Sequence, residues 1–163
     1  MINKQEHWAK VFANAKHGHI LWDGHAENPT DPNLAYKTSI DFINHAKHLG
    51  FFKPNNEVLD LGCGNGRFAT VLSEMNVSYV GIDPCGGSIE FAKSAFSDCP
   101  NIRFVFADVY NKVFNPQGKV LPENYRIPYP SEYFDDIIVY SVFTHLQNLG
   151  AAYNYAKEVR RVL

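Results

Sequence analysis

Cysteine is scarce in this 163-residue chain, and so are long apolar runs and any strong excess of charge. The three cysteines, Cys63, Cys85 and Cys99, are an odd number without metal-ligand spacing, which argues against a disulfide scaffold and makes a reducing cytoplasm the expected setting. No apolar stretch approaches the roughly 18 residues that a membrane span requires, so no membrane partner is expected. No basic and apolar leader precedes Trp8, and no targeting segment is read there. The formal charge is −2, which disfavours a surface built to neutralise phosphates, and with it a nucleic-acid partner. By length the chain is one domain over residues 1–163, large enough to bury a core without staples.

What is present centres on Val58 to Phe68, Val-Leu-Asp-Leu-Gly-Cys-Gly-Asn-Gly-Arg-Phe. An apolar run (Val58, Leu59, Leu61) holding one acid, Asp60, breaks into glycines at Gly62, Gly64 and Gly66, and a helical pattern starts at Phe68. The order is buried strand, tight turn, helix. Glycine tolerates positive φ and lets a ligand reach the main chain with no Cβ in the way. A plain glycine turn between strand and helix would use the same residues. A dinucleotide fingerprint needs glycine at position 67, and Arg67 stands there. The spacing Asp-x-Gly-x-Gly-x-Gly instead resembles the first motif of Rossmann-like, class I methyltransferases that use S-adenosylmethionine. That resemblance implies an α/β fold, a three-layer sandwich around a mostly parallel sheet with strand order 3-2-1-4.

The chain in order supports the same plan. A short amphipathic helix is read over Asn3 to Ala15, and residues 1–30 form an N-terminal cap segment. His17 with His19, and His45 with His48, are read as surface histidines rather than metal pairs, because no cysteine or carboxylate cluster stands near them with ligand spacing. Asp31-Pro32 looks like a helix start, Tyr36, Ile40, Ile43 and Ala46 mark one face, and Gly50 suits the left-handed position after the end. After the turn, Phe68, Val71, Leu72 and Met75 continue a helix; Tyr79 to Ile82 is the second strand, and Ser88 to Phe96 the next helix. Ile102 to Ala107 is the third strand and Phe134 to Tyr140 the fourth, its near-continuous apolar run suiting a sheet covered on both faces.

Acids mark the ends of these strands. Asp83 stands at the end of the second strand, where a carboxylate some 20 residues past the glycine turn can accept both hydroxyls of a ribose; Asp83 ahead of Pro84 and Ser88 also reads as a plain helix cap. Pro84 is counted with the donor site. In the family resembled, the acid after the third strand, Asp108, accepts from the adenine amino group while the main chain at Val109 meets the ring edge. Asp60 would orient the turn or reach the methionyl ammonium through water. The segment after the fourth strand, Ser-Val-Phe-Thr-His-Leu, together with Ala-Asp-Val-Tyr-Asn, Ile-Pro-Tyr-Pro and Phe-Asp, is similar to that of small bacterial members. The resemblance, covering about Asp31 to Leu163, places Ser141 and Val142 near the donor and His145 on the acceptor side.

Residues 110–133 lose all periodicity and are rich in proline and aromatics. An excursion of this length is either functional or packed only for stability; its low charge argues against disorder, and the functional reading is a cover beside the donor that helps choose the acceptor. Ala152, Tyr155, Ala156, Val159, Val162 and Leu163 line a helix beginning near Leu149. In the family, further strands follow, so the expectation is an incomplete sheet with an open edge at the fourth strand, prone to self-association. The function expected is methyl transfer from S-adenosylmethionine to a small-molecule or sugar acceptor, with His145 either taking a proton where the acceptor must lose one or merely packing at the helix entrance. Two competitors stay open, a domain that binds the donor without catalysis and a nicotinamide-dependent oxidoreductase.

Overall fold

The computed structural model of the chain describes residues 32–146 and 148–163; the Asn3 to Ala15 helix, the 1–30 segment, His17 and His19 lie outside them. Four strands, β1 (Glu57–Leu61), β2 (Ser78–Asp83), β3 (Ile102–Phe106) and β4 (Asp136–Ile138), form one parallel sheet in the order β3-β2-β1-β4. This is the expected 3-2-1-4 order. Because side chains alternate along a strand, the sheet feeds two cores. Val58 and Tyr79 enter one, with Phe68, Leu72, Ile89, Phe96 and Phe104. Leu59, Leu61, Val80 and Ile82 enter the other, with Val109, Ile127, Phe134, Tyr155 and Val162. Burial on both faces explains why these strands read as apolar runs rather than as alternating ones.

The helices are α1 (Pro32–His48), α2 (Ala69–Leu72), α3 (Gly86–Ala95) and α4 (Leu149–Val162). At the end of α1 Gly50 has φ +94°, and the Phe51 N–H donates to the Ala46 carbonyl at 3.1 Å, the six-to-one bond of a Schellman end. Two expected elements are shorter than the sequence pattern implies. The helix after the glycine turn is one turn, and β4 is three residues rather than the whole of 134–140. The start of β4 is held from the side: Asp136 Oδ2 accepts from the Phe52 N–H at 2.9 Å and Asn56 Nδ2 at 2.7 Å, and Asp135 Oδ2 accepts from the Glu57 N–H at 2.8 Å. Among the described residues β4 pairs with β1 and with no other strand.

Helix α4 begins with Asn148 Oδ1 accepting from the Ala151 N–H at 2.7 Å, an N-cap. Its buried face is Ala151, Tyr155, Glu158 and Val162, one residue away from the expected face at Ala152 and Ala156. A buried acid defeats apolar periodicity. Glu158 is satisfied where it lies: Oε2 accepts from the Ile127 N–H at 2.9 Å and from Arg161 Nη2 at 2.6 Å. Arg161 also donates to the carbonyls of Tyr129 and Ile127, and Asn154 Nδ2 to those of Pro122 and Tyr125. One face of α4 thus fastens the main chain of the 110–133 excursion by side-chain hydrogen bonds, which is why this stretch is ordered without strands of its own.

Candidate functional site

A cavity of about 180 Å³ opens at the carboxyl ends of β1, β2 and β4, lined among others by Gly62, Gly64, Asp83, Pro84, Ser141, Val142 and His145. In an open parallel sheet this is where ligands bind. The turn after β1 is pinned over the end of β2, with the Gly62 and Cys63 N–H groups donating to the Ile82 carbonyl at 2.7 and 3.2 Å. Gly62 and Gly64 have φ +84° and +53°, a region that other residues enter at a cost of about 1–2 kcal/mol. A Cβ on Gly62 would overlap Val142 Cγ2, whereas a Cβ on Gly64 would meet nothing within 4 Å. The main chain at Gly64 therefore faces open space, a cradle that any side chain would begin to fill.

Asp83 locks that cradle. One carboxylate oxygen accepts from the Gly64 N–H at 2.8 Å and the other from the Cys85 N–H at 2.7 Å. Burial raises its pKa above the ordinary value, and the two backbone donors hold it back. A carboxylate has about four acceptor sites, so the two backbone bonds leave Asp83 with capacity for a diol. At the end of β4, Ser141 has φ +61° and lines the cavity, and Thr144 Oγ1 donates to its carbonyl at 2.8 Å. Strain of this kind, held by local bonds, collects at ligand clamps. The His145 ring meets Phe114 edge to face at 5.2 Å.

Four residues expected at the donor site do not line the cavity. Asp60 is 1 % exposed beneath the turn, accepting from the Tyr79 hydroxyl at 2.7 Å. Gly66 faces the first core, where its Cβ would meet Phe104 and Phe96. Val109 is packed in the second core. Asp108 points to the excursion: Oδ1 accepts from the Lys119 N–H at 3.3 Å, and Oδ2 lies 3.8 Å from Lys119 Nζ. Strand β3 has ended at Phe106, and Ala107 is the residue turned to the cavity. Of Asp60, Asp83 and Asp108, Asp83 is the one that lines the cavity.

Several lining residues were not anticipated. Arg67, read in the sequence only as a departure from a dinucleotide fingerprint, lines the cavity with its guanidinium carbon 5.0 Å from the Phe68 ring centroid and 4.8 Å from that of Tyr140, while Nε donates to Ser39 Oγ at 3.1 Å. That is a cation lying over two aromatic rings. Cys85, Asn111, Phe114, Tyr125 and Tyr155 also line the wall. The aromatic content of the excursion was the only signal for Phe114 and Tyr125. Among the described residues no group of three or more His, Cys, Asp or Glu could hold a metal ion, and no helix is long and apolar enough to cross a membrane.

Asp60 makes stability depend on pH. Burial is the main cause that raises its pKa from 3.8 to about 7, with the Tyr79 hydrogen bond and the charge of Arg67 opposing. Between those values the folded chain holds the proton more tightly than the unfolded one, so this stabilisation is complete below about 3.8 and is lost as pH rises through about 7. Replacing Asp60 by Asn removes the titration. Thermal melts between about pH 4.5 and about pH 8 should therefore show wild type losing several degrees more than Asp60→Asn, on the order of 5–10 °C. Parallel curves would show that Asp60 is ionised throughout.

The residues present fit an adenosyl ligand, with an open glycine main chain, a carboxylate with spare acceptor sites and an aromatic wall. Comparisons with known proteins agree. A family model described as a methyltransferase domain matches residues 59–163. A putative methyltransferase, 235L of Invertebrate iridescent virus 6, is 29 % identical over 60 % of this chain and 35 % of its own length. Among solved structures, the PH0226 protein of Pyrococcus horikoshii superposes with TM-score 0.59 at 26 % identity, over 78 % of this chain and 53 % of that one. A SAM-dependent methyltransferase of Aquifex aeolicus superposes with TM-score 0.54 at 19 % identity, over 73 % and 56 %; at that identity the likeness concerns the fold. The chain spans about a third of the viral relative and about half of these structures. With the matched segment running from the middle of β1 through α4, and the glycine turn, Asp83 and the strands β2, β3 and β4 inside it, the chain belongs to the methyltransferase-domain family.

Proposed function

We propose that the chain binds S-adenosylmethionine in this cavity and transfers its methyl group to a small-molecule or sugar acceptor. The observation that carries the reading is the bond from Gly64 N–H to Asp83, which ties the main-chain cradle to the one strand-end acid that lines the cavity. S-adenosylmethionine supplies an electrophilic methyl on a sulfonium, so the protein has mainly to hold, align and exclude water. Asp83 is suited to the ribose diol, and Gly62, Gly64, Pro84, Ser141 and Val142 shape the wall around the donor. Arg67, stacked on Phe68 and Tyr140, offers a fixed cation for the methionyl carboxylate. His145 stands on the wall beside Phe114, where an imidazole can take the proton that a hydroxyl or ammonium acceptor gives up.

The test is transfer of a labelled methyl group from S-adenosylmethionine to fractionated small-molecule and sugar pools. Label is expected in at least one fraction, and His145→Ala is expected to lower turnover about 100-fold or more while S-adenosylhomocysteine still binds. Full turnover by His145→Ala would remove the proton-accepting role. Binding without transfer to any fraction would favour the second reading, a donor-binding domain without catalysis.

A further inference from the structure

The outward face of α4 carries a stripe that the fold leaves uncovered. Leu149, 88 % exposed, and Tyr153, 75 % exposed, are the most exposed large apolar side chains among the described residues. Ala156, Arg160 and Leu163 follow Tyr153 at steps of three, four and three, and in a helix of about 3.6 residues per turn such steps keep to one side. All three are exposed. The opposite side holds the buried Ala151, Tyr155, Glu158 and Val162, so α4 is an outer layer over this face of the sheet. A strand added beside β4 would lie in the sheet, beneath the helix, and would not reach the stripe. Single exposed apolar residues are ordinary, whereas a contiguous run of them marks a surface that meets another molecule.

Reversed end for end, the stripe is complementary to itself. Ala156 stands at its middle, with Leu149 and Leu163 each seven positions away, Tyr153 three before and Arg160 four after. A two-fold axis at Ala156 sets a second α4 antiparallel to the first: Ala156 meets Ala156, small enough for close approach, Leu149 meets Leu163, and the Arg160 guanidinium lies over the Tyr153 ring. Charge agrees with this direction. Glu123 stands beside the first turn of α4, its Cβ 3.9 Å from where a Cβ on Gly150 would be, and the exposed Lys157 and Arg160 lie toward the other end. Antiparallel pairing brings the acid of one copy toward the cations of the other, whereas parallel pairing would set Arg160 against Arg160. We propose that the outward face of α4 is a dimer interface on which a second copy of this chain docks antiparallel about Ala156. A contact of one helix from each copy buries on the order of 1,000 Å², the size of a weak and reversible association. Tyr155, on the cavity wall, belongs to the opposite face, so the pairing leaves the cavity open and is independent of what the cavity binds.

The experiment is sedimentation equilibrium of wild type and Tyr153→Asp, beside diamide cross-linking of Ala156→Cys and Leu149→Cys. Wild type is expected to pass from monomer to dimer with a Kd on the order of 10–100 µM. Tyr153→Asp is expected to weaken the dimer at least about tenfold, while the dilute variant melts as wild type does, because the side chain it replaces is exposed in the single chain. Ala156→Cys should link to a second copy of itself, and Leu149→Cys, which faces Leu163, should stay at the background that Cys63, Cys85 and Cys99 give in wild type. A wild type that remains monomeric up to millimolar concentration would overturn the proposal. So would a dimer that Tyr153→Asp leaves intact, which would put the interface elsewhere, at the β4 edge for example. Cross-linking of Leu149→Cys instead of Ala156→Cys would overturn the antiparallel arrangement, and with it the proposal.

Discussion

Gly62→Ala is expected to weaken S-adenosylhomocysteine binding at least about 30-fold and to lower stability by about 2–4 kcal/mol. The alanine must hold φ +84°, and its Cβ must displace Val142 Cγ2. Neither side can yield easily. The Gly62 N–H is anchored to the Ile82 carbonyl at 2.7 Å, and a valine has little rotamer freedom with which to move aside. Since Gly62 and Val142 are both wall residues, any retreat reshapes the cavity as well as the fold. Gly64→Ala is the informative contrast. No atom would lie within 4 Å of its Cβ, so the free protein should lose only the cost of positive φ, about 1–2 kcal/mol, while donor affinity falls because the methyl group enters ligand space. Affinities within threefold of wild type for both variants would mean that the turn does not touch the ligand.

Asp83→Ala is expected to be the most damaging change at the site, with donor affinity reduced more than about 100-fold and stability by about 2–5 kcal/mol. The alanine leaves the Gly64 and Cys85 N–H groups without their acceptor, and with them the restraint that joins the turn after β1 to the turn after β2. It also removes the acceptor proposed for the ribose diol. Asp83→Asn keeps one oxygen but sets an amide N–H against one of the two backbone donors, so it should fall between alanine and wild type. Asp108→Ala, by contrast, should leave donor affinity within about threefold, because that carboxylate is engaged by Lys119 and lies off the cavity. Calorimetric titration with S-adenosylhomocysteine and thermal melts of the three variants measure all of this. Equal losses from Asp83→Ala and Asp108→Ala would restore the symmetrical picture in which every strand-end acid grips the donor. Because burial raises the pKa of Asp83, donor affinity should also begin to fall, on acidification, at a higher pH than an ordinary carboxylate would require.

The features legible in the sequence were those in which one residue type has one physical use. Glycines at 62 and 64 in a strand-to-helix turn announced a main chain built for contact, and both have positive φ on the cavity wall. The apolar runs of β1 and β2 announced a doubly covered sheet, and its order is the expected one. Side-chain direction beyond a strand end is a different matter. Asp83 and Asp108 occupy similar sequence positions, yet β2 carries Asp83 within its last pair while β3 stops two residues before Asp108. Gly66 looks like its neighbours in the motif and serves the packing of Phe96 and Phe104. Glu158 defeats apolar periodicity because its cost of burial is offset by Arg161 and the Ile127 N–H, partners that no local pattern reveals. Arg67 was visible as a residue but not as a stacked cation, since Phe68 is adjacent and Tyr140 is more than 70 positions away.

The most direct measurement is a calorimetric titration of the chain with S-adenosylhomocysteine, run beside NAD and repeated on Asp83→Ala. One-to-one binding with a Kd in roughly the micromolar range, no response to NAD, and loss of the signal in Asp83→Ala are expected if the glycine turn and Asp83 together hold an adenosyl donor. Saturation by NAD, or S-adenosylhomocysteine binding that survives unchanged in Asp83→Ala, would contradict it.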